Sequence, residues 1–217
     1  AVDGDDVPPP NAAAWLVAAA ERTGAALVFG RSLRGLDPAP IPQDAPVAAV
    51  PAPLAFAARR QIARMGFLAR RDVWEAAGGA DEGVFIQDQS LPLRLAAAAE
   101  RLGAGMAWTD AVVYRLRPAG EGSLSRRRVQ QSHDRFLSAA RMLPQAEGAA
   151  AQALARMALS SLWKLRRGRG GAAWLSPEFA LYLANRATGL APGPGWFARR
   201  EAALAALPGV LRPDPRR

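Results

Sequence analysis

The acidic segment Asp3-Gly4-Asp5-Asp6 carries residues whose type and spacing could do chemistry. The Asp-x-Asp spacing can aim two carboxylates, those of Asp3 and Asp5, at one point. Such a pair suits a hard divalent cation, Mg²⁺ or Mn²⁺, that carries a substrate phosphate. The alternative interpretation is a solvated acidic loop, because this short motif also occurs without a metal.

A second acidic segment contains the strongest single candidate for a chemical role, Asp88. Gly78-Gly79-Ala80-Asp81-Glu82 leads to Gln87-Asp88-Gln89-Ser90, ahead of a pattern typical of an amphipathic helix. Asp88 falls in the first turn of that predicted helix, where the helix dipole favours an ionised carboxylate. The alternative is that Asp88 simply caps the helix, a common role of Asp at this position.

The composition excludes several kinds of site. The 217 residues contain no cysteine and one histidine, His133. Disulfides, thiolate metal sites and multi-histidine zinc centres are therefore excluded, and no Gly-x-x-x-x-Gly-Lys segment supports a P-loop. His133 itself has two interpretations, a metal ligand or a solvated or hydrogen-bonded side chain on a helix.

The charge is distributed unevenly along the chain. Residues 1–110 carry 10 basic against 13 acidic side chains, whereas residues 111–217 carry 18 against 6. The acidic half is therefore suited to a cation, and the basic half could face anionic lipid, a phosphorylated ligand or nucleic acid. No apolar run reaches the roughly 18 residues of a membrane-spanning helix. We expect a cytoplasmic protein that can also contact the inner face of the membrane peripherally.

The elements that must position these side chains alternate between strands and helices. Asn11 is the predicted N-cap of the first helix, and prolines that recur between residues 37 and 53 predict a long loop. An α/β domain over residues 1–125 and an α-helical basic extension over residues 126–217 follow from this order. The periodicity predicts strands at 25–30, 65–70 and within 106–114, and helices at 12–22, 71–77, 87–102, 126–143, 148–167, 177–187 and 195–206.

The order of these motifs resembles that of the family 2 glycosyltransferases of GT-A fold. An Asp-x-Asp-Asp segment, a helix, a strand, a variable loop and a short strand precede Arg-Arg, Gly-Gly-x-Asp-Glu and x-Asp-x-x-Leu-x-x-Arg. The matching segments are residues 2–10, 66–95 and 114–125, the last from Tyr-Arg to Gly-Ser-Leu-Ser. The resemblance implies a partial GT-A, Rossmann-like mixed sheet with flanking helices, followed by the α-helical extension.

The activity that this resemblance implies is an inverting sugar transfer in bacterial surface glycan assembly. A nucleotide diphosphate sugar is the donor, and the hydroxyl of a glycan or lipid-linked acceptor receives the sugar. Asp3 and Asp5 match the ligands of an Mg²⁺ or Mn²⁺ ion, and Asp3, Asp6 and Arg115 match donor-binding positions. Residues 1–125 then correspond to the C-terminal part of the catalytic domain, without the N-terminal nucleotide-binding half.

The acceptor side of the resemblance rests on the second acidic segment. Asp88 matches the general base of the family, and Asp81 and Glu82 match the loop that lines the acceptor. Two positions depart from the family pattern. Gln87 stands where the family usually has Glu, and Arg117 stands in a segment where many members carry His.

A different class of function is also compatible with the sequence. Residues 126–170 are basic and predicted to be helical, as in a non-catalytic module that contacts an anionic membrane surface or nucleic acid. No helix-turn-helix, RNA-binding aromatic pair or zinc finger is recognisable, so no nucleic acid partner is expected.

Overall fold

The computed structural model describes residues 6–35, 39–60, 65–118, 120, 126–168, 170 and 172–212. Within them the chain is an α/β protein with a four-stranded mixed sheet, flanking helices and a helical C-terminal region. The strands are β1 (Leu27–Arg34), β2 (Ala48–Ala49), β3 (Phe67–Ala69) and β4 (Met106–Leu116). The helices are α1 (Ala12–Thr23), α2 (Pro53–Arg60), α3 (Arg71–Ala76), α4 (Leu91–Arg101), α5 (Arg128–Met142), α6 (Gly148–Gly168), α7 (Pro177–Thr188) and α8 (Pro194–Leu204).

The two long strands lie side by side in the middle of the sheet. The strand order is β2-β4-β1-β3, in which β1 and β4 are parallel and the two short strands pair antiparallel at the edges. Leu27, Val28 and Phe29 are all fully buried. Because successive side chains of a strand point to opposite faces, both faces of the sheet must be covered there. Both α1 and α4 pack on the sheet. The predicted α/β class is thus confirmed.

Two glycines allow the central strands to approach their neighbours closely. A Cβ at Gly30, within β1, would lie 2.5 Å from Cγ1 of Val113. Gly66 has a φ of +88°, and a Cβ there would lie 2.4 Å from Cβ of Tyr114. Since Val113 and Tyr114 are buried in β4, a side chain at either glycine would have to displace that strand.

The helical C-terminal region has its own apolar core. Helix α5 packs against α6 and α8, and α6 packs against α7. Leu154, Met157, Leu162 and Leu165 recur at helical spacing along α6 and are all buried. The predicted tail helices are confirmed by α5 to α8. None of the described helices is long and apolar enough to cross a membrane.

The chain forms two compact units. The first unit comprises Ala1–Gly79 and Leu91–Glu121, which include the sheet, and the second comprises Ala80–Ser90 and Gly122–Arg217. Residues 80–90, named the acidic loop below, therefore belong with the C-terminal helices in this division. The predicted functional domains over residues 1–125 and 126–217 stay a prediction, because compactness alone does not define a functional domain.

The helix predicted at 87–102 begins later than its periodicity indicates. A 3-10 turn occupies Gln87–Gln89, and the α-helix starts at Leu91. Pro92 explains the difference. In a helix interior, proline lacks the N–H donor and its ring meets the carbonyl of the residue four positions earlier, here Asp88. Pro92 is tolerated only in a first helical turn, so the predicted placement of Asp88 in the α-helix was wrong.

The predicted N-cap residue, Asn11, binds the proline-rich loop instead of the helix. The Asn11 side chain does not cap α1. Its Nδ2 donates to the carbonyl of Ile41 at 2.7 Å, and its Oδ1 accepts from the Ile41 N–H at 2.8 Å. These bonds hold the proline-rich loop beside α1, where Trp15 Nε1 also donates to the Pro42 carbonyl at 2.9 Å. The sequence also did not predict α2, which begins at Pro53, a residue suited to a first turn.

Candidate functional site

The predicted site residues fall into three groups. Asp3 and Asp5, the predicted metal ligands, lie outside the described residues. Two predicted donor-binding residues, Asp6 and Arg115, lie in the first unit. The acidic loop of the second unit holds the predicted general base and the predicted acceptor contacts, which are Asp81, Glu82 and Asp88.

The structure brings Asp6 and Arg115 together at the end of β4. Val7 forms an antiparallel bridge with Arg115, with N–H···O distances of 3.0 and 3.2 Å. The Asp6 Oδ1 atom accepts a hydrogen bond of 2.8 Å from the backbone N–H of Arg117. The Nε atom of Arg115 is buried and has no hydrogen-bond partner among the described residues. Guanidinium groups are suited to phosphate oxygens, and donor binding by Asp6 and Arg115 stays a prediction.

Asp81 closes the acidic loop on itself. Its Oδ1 atom accepts from the N–H of Gly83 at 2.8 Å, and its Oδ2 atom accepts from the hydroxyl of Ser90. The bond from Ser90 joins the beginning and the end of the loop, and the bond from Gly83 fixes the turn after Asp81. Glu82, by contrast, is exposed. Asp81 thus has a structural role that sequence reasoning did not identify, and contact with an acceptor stays a prediction for both carboxylates.

The amide of Gln87 braces the same loop from inside. Its Oε1 atom accepts from the N–H of Asp81 at 2.7 Å. Its Nε2 atom donates to the carbonyls of Asp81 and Val84 at 2.7 and 3.0 Å. An ionised Glu could accept but not donate, and one of its oxygens would face two carbonyl oxygens. The presence of Gln rather than Glu at this position therefore has a local physical reason.

Gln87→Glu is expected to lower the free energy of unfolding by about 1–3 kcal/mol at neutral pH, because the loop loses two donated hydrogen bonds. Protonation of the introduced carboxyl restores a donor, so its pKa in the folded state should be raised above the usual value of about 4.3. A raised folded-state pKa means that the lost stability returns as the pH falls through that pKa. Urea unfolding of variant and wild type at matched pH values measures this difference.

A neutral replacement separates the effect of charge from the loss of the amide. Gln87→Met removes all three hydrogen bonds but adds no titratable group, so its loss of stability should not depend on pH in the same range. If Gln87→Glu and Gln87→Met showed the same pH dependence, the role assigned to the Gln87 donor would be wrong.

Helix α5 supports the acidic loop and orients Asp88. The N–H of Ile86 donates to Asp134 Oδ2 at 2.8 Å, and Arg135 Nε donates to Gln89 Oε1 at 2.9 Å. The amide of Gln89 then donates through Nε2 to Asp88 Oδ1 at 3.0 Å. Asp88 is half-buried and is connected through Gln89 to a cation of α5. A carboxylate held in this way has a restricted orientation, which a general base requires.

Beneath this loop lies a buried polar cluster that sequence reasoning missed, formed by Gln130, His133 and Asp134. Asp134 is 1% exposed, and its carboxylate is hydrogen-bonded to Gln130 Nε2 and to Nδ1 of His133 as well as to the N–H of Ile86. Gln130 also accepts from the N–H of Leu211 and donates to its carbonyl. The sequence does contain a signal for this cluster. The three polar residues are spaced at i, i+3 and i+4, so they share one face of α5 with Leu137, which is buried.

His133 is buried and hydrogen-bonded, the second of its two sequence interpretations. Over the part of the chain that the structure describes, no group of three His, Cys, Asp or Glu side chains could hold a metal ion. The metal site on Asp3 and Asp5 therefore stays a prediction, which rests on the chemistry of their carboxylate oxygens.

Comparison with known proteins identifies no relative: no protein-family model matches the chain, and no curated protein is significantly similar to it.

Proposed function

We propose that the protein is a metal-dependent inverting glycosyltransferase with a partial GT-A fold. It transfers a sugar from a nucleotide diphosphate sugar to the hydroxyl of a glycan or lipid-linked acceptor, in bacterial surface glycan assembly. The observation that carries the proposal is the acidic loop. Its conformation is held by Asp81 and Gln87, and it presents a half-buried, oriented carboxylate, that of Asp88, at the motif position of the general base.

Further support comes from the order of the elements along the chain. A short strand (β3), a short helix (α3), Gly78-Gly79, the acidic loop, a helix (α4) and a long strand (β4) follow one another as in the motif order that the sequence resembles. The backbone pairing of Val7 with Arg115 also supports a donor-binding role for the residues at the end of β4, because it places Asp6 next to this end of the strand.

The chemistry proposed for Asp88 is proton abstraction. As the acceptor oxygen attacks the anomeric carbon, its proton passes to a carboxylate oxygen of Asp88. The new C–O bond forms while the bond from the anomeric carbon to the diphosphate oxygen breaks, and that electron pair leaves with the diphosphate. Asp3 and Asp5 would hold Mg²⁺ or Mn²⁺, which when bound neutralises charge on the departing diphosphate.

The remaining side chains are proposed to bind the two substrates. Asp6 and Arg115 contact the donor, in which the guanidinium of Arg115 is suited to a phosphate oxygen. Asp81 and Glu82 lie on the acceptor side, where exposed Glu82 is available to sugar hydroxyls. The protein acts in the cytoplasm, with peripheral contact at the inner face of the membrane.

A donor screen tests the proposal. Nucleotide diphosphate sugars are offered with Mn²⁺, with Mg²⁺ or with a chelator, and released nucleoside diphosphate is measured with and without glycan acceptors. We expect release that needs the metal and increases with an acceptor. No binding and no release with any donor would favour the alternative, a non-catalytic basic module, which the 18 basic side chains of residues 111–217 also suit.

A further inference from the structure

A basic cleft lies between α5 and α6, within the second unit. Its volume is about 400 Å³, which is within the range of small-ligand sites. The lining residues of each helix are spaced three or four positions apart, so they lie on one face of that helix. They come from the start of α5 and the end of α6. The lining residues are Arg128, Val129, Gln131, Ser132 and Arg135 of α5, and Lys164, Arg167 and Gly168 of α6.

The cleft concentrates positive charge. Four of its lining side chains are cations, Arg128, Arg135, Lys164 and Arg167, and none of the lining residues is acidic. The pKa of Lys164 is lowered from its ordinary value, first by burial and then by the charges of Arg135 and Arg167. Lys164, Arg135 and Arg167 therefore repel one another, and an anion between them would relieve the repulsion.

Two of the four cations are held in place by neighbouring groups. The guanidinium of Arg167 lies 5.0 Å from the ring centroid of Trp163, which itself stacks on Tyr182 at 5.6 Å. Arg135 is anchored through Nε to Gln89 Oε1. Aromatic stacking and a fixed hydrogen bond reduce the conformational freedom that a bound ligand would otherwise have to remove. Gln131 and Ser132 add polar side chains between the two cations of α5.

We propose that the basic cleft binds a ligand that carries a diphosphate group, either a free molecule or the headgroup of a lipid. Arginine forks match phosphate oxygens, and four cations balance the charge of two linked phosphates better than that of one carboxylate. The concave shape favours a compact headgroup over the extended backbone of a nucleic acid. This site does not depend on the proposed glycosyl transfer, because none of the predicted catalytic, metal or donor residues lines it.

Lys164 provides a direct test, because it is the only lysine in the sequence. Amine-directed acetylation, quantified for the peptide that contains Lys164, reports on the cleft alone. We expect pyrophosphate to slow this acetylation about tenfold when its concentration is ten times its Kd. Sulfate at the same ionic strength should have little effect. Equal acetylation with and without pyrophosphate, together with no heat of binding in calorimetry, would overturn the free-ligand form of the proposal.

Charge-matched variants separate the cleft from general electrostatic attraction. Lys164→Gln combined with Arg167→Gln should weaken pyrophosphate binding in calorimetry at least about 30-fold, because two charged hydrogen-bond donors are lost. Arg156→Gln combined with Arg166→Gln removes the same charge from exposed positions of α6 that do not line the cleft, and should change the affinity less than about threefold. Equal weakening by both pairs would contradict the site.

Vesicles distinguish the two sources of the diphosphate. Phosphatidylcholine vesicles that contain diacylglycerol pyrophosphate are compared with vesicles that contain phosphatidylserine at equal surface charge. Binding to the first kind alone, lost in the Lys164→Gln/Arg167→Gln pair, identifies a lipid headgroup. Binding of soluble pyrophosphate without vesicle binding identifies a free ligand. Equal binding to both kinds of vesicle, or to neither when pyrophosphate also fails to bind, overturns the proposal.

Discussion

Asp88→Asn is expected to reduce the rate of glycosyl transfer about 10²- to 10⁴-fold, the usual loss when a general base is removed. Asn keeps the shape of the side chain, and its carbonyl oxygen can still accept the 3.0 Å hydrogen bond from Gln89. Stability and donor affinity should therefore change little, because the proposed donor and metal contacts lie on other residues. The measurements are nucleoside diphosphate release at saturating acceptor, donor affinity by calorimetry, and urea unfolding.

Two further variants make this result specific. Asp5→Asn should weaken metal-dependent donor binding first, because Asp5 is a proposed metal ligand. Glu82→Gln, the same chemical change on an exposed residue of the acidic loop, should raise KM for the acceptor while kcat is retained. Near-wild-type turnover of Asp88→Asn would show that Asp88 only stabilises its turn, and the proposed mechanism would have to be abandoned.

Asp134→Ala is expected to lower the free energy of unfolding by about 3–5 kcal/mol, because it leaves several buried donors without an acceptor. Gln130 and the N–H of Ile86 both lose their hydrogen bonds to the carboxylate, and His133 loses its neighbour 2.8 Å away. Urea unfolding measures the loss. Faster hydrogen exchange at the Ile86 amide should accompany it, because this bond ties the acidic loop to α5.

A partly exposed carboxylate in the same unit is the matched control. Glu201 pairs with Arg141 at 2.9 Å, but both side chains are partly exposed to solvent. Glu201→Ala should therefore cost less than about 1 kcal/mol, and exchange at Ile86 should be unchanged. If Asp134→Ala cost no more than this control, the buried cluster would not be the support of the loop.

The acidic loop shows how far the sequence predicts the candidate site. Asp81, Glu82 and Asp88 could be identified because they are close along the chain and have chemically distinctive neighbours. Their arrangement could not be identified, since it depends on which groups a side-chain amide meets after folding. Gln87 looked like a departure from a motif, and only its three hydrogen bonds show why an amide is needed there.

Three residues of α5 show what the sequence could not predict. Gln130, His133 and Asp134 have the composition of a solvated helix face, yet they are buried. Burial of polar groups is favourable only when they find partners, and these partners, at Ile86 and Leu211, lie far away in the sequence. No pattern local to the helix could predict that.

The sequence by itself determined the α/β class, the helices of the C-terminal region and the exclusion of cysteine and multi-histidine chemistry, because periodicity and composition are local properties. Tertiary structure decided the parallel pairing of β1 with β4, the docking of the acidic loop on α5 and the meeting of Arg128 and Arg135 with Lys164 and Arg167. Each of these joins residues distant along the chain. Their free energy comes from burial and hydrogen bonding between segments, which no single segment encodes.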